Sequence, residues 1–151
     1  MTPDGADRLL AFELGGGLYA LPIMDVAEVT DVPDIAAVPM LSSEIGGVVN
    51  YHGDALPVVY GRALLELDQE CPHHHLLVLA KDLDDPKRYG LPVDHIHGLI
   101  DGQPGRNRTP GSVICERRPH GERLMSVLDP EELFERAASM IELSMAPHGP
   151  S

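Results

Sequence analysis

Cysteine is scarce in this chain of 151 residues, and the two present, Cys71 and Cys115, make no framework of bridges. In a reducing compartment both are expected as free thiols. Basic residues are few as well: 11 Lys and Arg against 24 Asp and Glu leave a net charge of −13. Such a field repels phosphate backbones and anionic lipid, which argues against a nucleic-acid or membrane-surface partner. No apolar run is long enough to cross a bilayer, and the start Met1-Thr2-Pro3-Asp4 lacks the basic-then-apolar pattern of a secretory signal. A cytoplasmic protein is therefore expected. Catalytic motifs are missing too: there is no G-x-x-x-x-G-K phosphate loop, no nucleophile elbow, and no cysteine in a motif that sets it beside a base. Gly15-Gly16-Gly17 is more economically a turn than a phosphate cradle.

What is present is β-forming. The chain is 43% apolar, with 15 Gly, 14 Pro and few aromatics, a balance that favours short strands and turns over long helices in a single domain. The most informative stretch runs from Gly46 to Tyr60. Val48 to Tyr51 and Ala55 to Tyr60 are apolar or β-branched, and Gly53-Asp54 between them has glycine first, as a type II′ hairpin requires. Gly46 and Gly47 in front leave the backbone bare, either for a barrel corner or for close approach of another chain.

Elsewhere, Leu10, Phe12 and Leu14 share one strand face, the three glycines turn the chain, and Tyr19, Leu21 and Ile23 share the next. Pro22 removes a backbone donor, which predicts an edge strand or a neighbouring bulge. Asp25 to Val29 fits a helical turn or a strand equally well, and Asp31 to Glu44 reads as loop. Arg62 to Leu67 suits a short helix, and Leu76 to Ala80 a strand buried on both faces. Tyr89 to Val93 is the next strand, and Gly102 to Gly111, with Arg106 and Arg108, is a polar loop. Ser112 to Arg117 and Glu122 to Leu128 flank Pro119-His120-Gly121 as a last hairpin. Asp129-Pro130-Glu131-Glu132 is a strong helix start, followed by an apolar face of Leu133, Phe134, Ala137, Met140 and Ile141.

An internal repeat joins these pieces. Tyr19 to Ile23 recurs as Tyr89 to Val93 (89 − 19 = 70), Leu10 aligns with Leu77 (77 − 10 = 67), and Val59 aligns with Val127 (127 − 59 = 68). Two similar β-units, too few for a solenoid, predict two small barrels packed together. Residues 1–7 and 144–151 are expected to be disordered, leaving 8–143 as one domain of two subdomains.

Two histidine groups invite a chemical reading. Cys71-Pro72-His73-His74-His75 carries thiolate and imidazole donors that suit zinc, so a metal-binding or catalytic β-barrel is the alternative from another class. Adjacent histidines on an extended chain point apart and no second cluster completes a tetrahedral set, so a polar loop without metal is the preferred reading. His95 and His97 would share a strand face and His120 sits in a turn; any of them beside a carboxylate could carry a proton.

The order Tyr19-Ala20-Leu21-Pro22-Ile23, Asp25-Val26-Ala27-Glu28-Val29, Val38-Pro39, Gly47-Val48-Val49-Asn50-Tyr51-His52-Gly53, Leu56-Pro57-Val58-Val59 resembles the CheW family of chemotaxis coupling proteins. Gly90-Leu91-Pro92-Val93-Asp94 and Leu128-Asp129-Pro130-Glu131-Glu132-Leu133 match that family's second half, so the resemblance covers Arg8 to Arg136. It implies a mostly β fold of two five-stranded SH3-like barrels with short helices and a C-terminal helix. It also implies a non-catalytic adaptor without cofactors, joining the cytoplasmic tip of methyl-accepting chemoreceptors to the regulatory domain of a CheA-type histidine kinase. By that resemblance Val26, Glu28, Gly47, Asn50 and His52 lie in the receptor-binding groove between barrels, and the kinase meets an exposed apolar barrel face. Residue by residue, Val26 could offer apolar area or be core, Gly47 could allow close approach, and Glu28 could pair with a basic residue or cap a helix.

Two departures stand out. The family usually has Arg at His52, and Asp-Leu where this chain has Tyr60-Gly61. Replacing a guanidinium by an imidazole gives up a permanent charge and a five-donor fork. A divergent adaptor that binds receptor or supports array assembly without engaging the kinase is the corresponding alternative. Asp101 to Val113 also looks shorter than usual, which predicts a trimmed second barrel.

Overall fold

The computed structural model describes residues 8–31, 35–36, 45–67, 73–80, 87–102 and 112–145, with backbone alone for 142–145. Within these, β1 (Arg8–Leu14), β2 (Gly17–Pro22), β3 (Val26–Asp31), β4 (Gly46–Tyr51) and β5 (Asp54–Val59) lead to a four-residue helix α1 (Gly61–Leu64). There follow β6 (His75–Leu79), β7 (Tyr89–Val93), β8 (His95–Asp101), β9 (Ile114–His120), β10 (Arg123–Leu128) and the helix α2 (Pro130–Met145). A 3-10 turn at Ile23–Asp25 precedes β3, so the ambiguous stretch after Pro22 is helical up to Asp25 and extended beyond it. The expected loop from Gly102 to Gly111 and its arginines lie, beyond Gly102, outside the described residues, as do 1–7 and 146–151.

The strands form two five-stranded sheets, in the orders β8-β1-β2-β10-β9 and β3-β6-β7-β5-β4. The duplication expected from the repeat is present, with an exchange the repeat did not reveal. The first sheet joins β1 and β2 from the first half of the chain to β8, β9 and β10 from the second, and the second sheet does the reverse. Registers agree between the halves: Phe12 pairs with Ile96 as Leu79 pairs with Val26, and Leu10 with Leu21 as Leu77 with Leu91. The parallel contact Val127↔Ala20 is repeated as Val58↔Gly90, so the last offset is 69 (127 − 58 = 69) and Val58, not Val59, matches Val127. Even a one-residue bulge recurs, at Ala27 in β3 and His97 in β8 (97 − 27 = 70).

Buried side chains sort into three clusters. Leu9, Ala11, Leu18, Ala20, Met125 and Val127 fill the first sheet's concave side, and Val49, Tyr51, Leu56, Val58, Leu76 and Val78 the second's. The largest lies between the sheets, where Leu10, Phe12, Leu14 and Leu21 meet Leu77, Leu79, Tyr89 and Leu91 under Leu133, Phe134 and Ala137 of α2. β1 and β6 are therefore buried on both faces, each contributing alternate residues to its own sheet's cluster and to the shared one. At roughly 1.5–3 kcal/mol per fully buried large apolar side chain, the shared cluster is the main bond between the two units. α2 starts as its sequence demands: the Glu131 N–H donates to Asp129 Oδ1 at 3.0 Å, and Pro130 occupies the first helical position.

Three local expectations are corrected. Pro22 lies on an inner strand, between β1 and β10, rather than at an edge; it is tolerated because the β10 ladder ends at Ala20. In the central hairpin the turn residues are His52-Gly53, with Tyr51 paired to Asp54, and both have positive φ (52° and 88°). That is the type I′ pattern rather than type II′, which needs positive φ at the first position alone. In the last hairpin His120 ends β9, and the turn is Gly121-Glu122.

Candidate functional site

The residues that the resemblance singles out lie on β3 and β4, the two edges of the second sheet. Those edges are brought together by side chains. β4 alternates, with Val49 and Tyr51 turned inward and Val48 and Asn50 outward. Tyr51 is thus a buried aromatic at the end of an inward row, and its hydroxyl needs an acceptor. It donates to Glu28 Oε1 on β3 at 2.7 Å, and His52 Nε2 lies 3.4 Å from the same oxygen. Glu28 points this way because the bulge at Ala27 sets it opposite Val78, an inward residue of β6.

The Tyr51 hydroxyl holds the Glu28 carboxyl below the usual glutamate value, with His52 adding to the effect and partial burial opposing it. Burial, helped by the adjacent carboxylate, raises the Tyr51 phenol. Arg88, just before β7, lies over the Tyr51 ring, 5.7 Å from its centroid, and pairs with Asp54 of the hairpin at 3.2 Å. A continuous set of contacts, Glu28–Tyr51–Arg88–Asp54, therefore ties β3 to the β4–β5 hairpin.

Of the five expected site residues, the structure brings Glu28 and His52 together and sets Asn50 beside them in sequence, exposed on the outer face of β4. Asn50 Oδ1 accepts the Gly53 N–H at 2.9 Å, so its side chain also holds the turn. Val26 packs against the core between the sheets. The bare backbone at Gly47 is used within the chain: a Cβ there would sit 2.5 Å from the Ala36 carbonyl oxygen and 2.7 Å from Ile35 Cγ2, where Ala36 and Val48 form a bridge. An open cleft of about 440 Å³ borders this bridge, lined by Val48, Asn50, Gly53 and Asp54 among others. Tyr51 was not singled out from the sequence, although a tyrosine on an inward row is a signal that an acceptor is near.

Several other titratable groups are likewise engaged in structure. His97, the bulge residue of β8, lies 2.6 Å from Glu13 Oε2, and Arg123 lies 3.4 Å from the same oxygen. His97 chiefly, then Arg123, lowers the Glu13 carboxyl. His73 sits 3.1 Å from Asp94 Oδ1, whose other oxygen accepts the Gly15 N–H at 2.7 Å. Asp94 stands between β7 of one sheet and β8 of the other, so this cluster tethers the crossover. Cys71 lies outside the described residues, and among those described no three His, Cys, Asp or Glu side chains stand close enough to hold a metal ion. Tyr60 stacks on His73, and a Cβ at Gly61 would meet Leu14 Cδ1 at 2.6 Å, so both residues of that departure serve internal packing. Among the described residues no helix is long and apolar enough to cross a membrane.

Comparison with known proteins gives concordant results. A family profile described as a CheW-like domain matches residues 8–138. A Treponema pallidum (strain Nichols) protein named Chemotaxis protein CheW is 31% identical over 118 residues, covering 74% of this chain and 67% of that protein. The scaffolding protein TtCheW from Thermoanaerobacter tengcongensis superposes with a TM-score of 0.66, covering 82% of this chain and 89% of that one. At 20% identity this last likeness speaks for the fold alone.

Proposed function

The chain belongs to the CheW-like domain family, and from that membership we propose that it is a non-catalytic adaptor of a cytoplasmic chemosensory complex. In this reading it couples the cytoplasmic tip of methyl-accepting chemoreceptors to the regulatory domain of a CheA-type histidine kinase. The observation that carries the reading is the family match over residues 8–138, which takes in both sheets and the start of α2.

The receptor contact is assigned to the β3–β4 edges of the second sheet. Glu28, Asn50 and His52 supply polar atoms, while Val26 and Gly47 shape the frame on which those atoms sit. A half-exposed carboxylate fixed by a buried hydroxyl suits recognition, since a partner's donor meets it without first ordering it. The second reading, an adaptor that binds receptor or supports array assembly without engaging the kinase, draws on Tyr60-Gly61, which stands outside the receptor edge, where the family usually has Asp-Leu.

Co-sedimentation tests both. The purified chain is mixed with a receptor signalling tip and, separately, with the kinase regulatory domain. The first reading expects binding in both arms, and the second in the receptor arm alone. Glu28→Arg is expected to abolish receptor binding; because Glu28 accepts a hydrogen bond, it should also cost about 1–3 kcal/mol of stability. Glu28→Gln keeps an acceptor and is the cleaner probe. Unchanged receptor binding by both variants would refute the assignment.

A further inference from the structure

We infer that Tyr51 is the positioning residue of this site, holding the Glu28 carboxylate more firmly than His52 does, and that Glu28 Oε2 is thereby presented to a cationic or N–H donor of the partner. This rests on the receptor-binding reading of the β3–β4 edges.

Three observations support it. Both internal donors fall on one oxygen: the Tyr51 hydroxyl at 2.7 Å and His52 Nε2 at 3.4 Å, each to Oε1. Among the described residues Oε2 has no partner, and the Glu28 side chain keeps 37% of its exposure. Second, the two donors differ in how firmly they are held. His52 is a turn residue in the left-handed region whose side chain is 70% exposed, whereas Tyr51 is buried against Val49 and Leu56 with Arg88 over its ring. An ordered donor loses less freedom on bonding than a solvent-exposed one, so the tyrosine does most of the holding. Third, the same place in the first sheet has no such arrangement. Gly98 matches Glu28 (98 − 28 = 70) and His120 matches Tyr51 (120 − 51 = 69). The contact is thus particular to the sheet that carries the proposed receptor edge, and is not a requirement of the fold.

The charged and titratable groups facing Glu28 and Tyr51 are His52 from the turn, Arg88 before β7 and Asp54 of β5. A partner helix offering Arg, Lys or an amide N–H toward Oε2 would complete the carboxylate's hydrogen bonding.

The test separates positioning from binding. In the free protein, the Glu28 carboxyl is titrated by NMR in wild type, Tyr51→Phe and His52→Ala. Tyr51→Phe keeps the buried ring and removes only the hydroxyl; it should raise the Glu28 titration midpoint, and His52→Ala should raise it less. A larger rise for His52→Ala, or none for Tyr51→Phe, overturns the inference. Binding to the receptor tip is then measured for the same variants and for Glu28→Gln and Glu28→Arg. Tyr51→Phe should weaken binding by about threefold to tenfold, the scale of one typical hydrogen bond and less than the direct loss of a charge-assisted one, because the hydroxyl acts through Glu28. It should have little further effect once Glu28 is Gln. A raised midpoint with binding unaffected by both Glu28→Gln and Glu28→Arg leaves Tyr51 as the holder of Glu28 and refutes the receptor assignment and, with it, the partner's donor.

Discussion

The two sheets are built on one plan and differ at their edges. Registers, inner prolines and even the bulge coincide, yet the second sheet places Glu28 and Tyr51 where the first has Gly98 and His120. Each sheet also carries one glutamate with a lowered carboxyl, held by different chemistry. Glu13 at the end of β1 is held by His97 and Arg123, whereas Glu28 is held chiefly by a neutral hydroxyl. Two equivalent frames thus differ by a few edge side chains, and those of the second sheet form the polar cluster to which we assign the receptor contact.

The largest expected effect concerns the frames themselves. Because each sheet draws strands from both halves, fragments 1–67 and 73–151 should each be unfolded alone, by loss of the β-sheet circular dichroism of the whole chain. Mixed in equal amounts, they should recover it. A fragment that folds alone would mean that β1 and β2 can close onto their own half, and the exchange would not be obligatory.

Next in size are the equivalent positions in the shared core. Phe12→Ala should cost about 3–5 kcal/mol and Leu79→Ala about 2–5 kcal/mol in urea unfolding. Both side chains are fully buried between the sheets. Each variant should melt in one transition. Two transitions in either would show that the sheets unfold separately, and would break the equivalence.

The smallest effects separate the two glutamates. Each has its carboxyl lowered in the fold, so each adds stability in full above pH about 4.5, the ordinary glutamate value, and loses it as pH falls through the lowered one. Their response to salt should differ. At about 1 M salt the screening length shrinks to about 3 Å. The Glu13 midpoint should then rise more than that of Glu28, whose main donor is uncharged. Equal rises, read by carboxyl NMR, would show that charge rather than the tyrosine holds Glu28.

Much of the frame was legible in the residues. Alternation located β1 and β2, apolar or β-branched runs about a turn located β4 and β5, continuous apolar character marked β6 as doubly buried, and Asp129-Pro130 placed the start of α2. The exchange between halves was not legible, because periodicity tells which side chains face inward and not which sheet a strand joins. Ala11 is small enough to leave β1 looking one-sided, although it fills the first sheet's cluster. The central turn was misplaced because Gly-Asp is a common turn pair, whereas a non-glycine residue such as His52 in the left-handed region is uncommon. Of the site, resemblance named Glu28 and His52, which do meet. Tyr51 escaped notice since its partner lies across the sheet, 23 residues away.

The most direct test of an unequal pair of edges is an NMR titration of the labelled chain with a receptor signalling tip. Amides of Glu28, Asn50 and His52 should shift or broaden, while those of Gly98 and His120, the first sheet's counterparts of Glu28 and Tyr51, should not. Perturbation centred on Gly98 and His120, with β3 and β4 unmoved, would contradict that expectation.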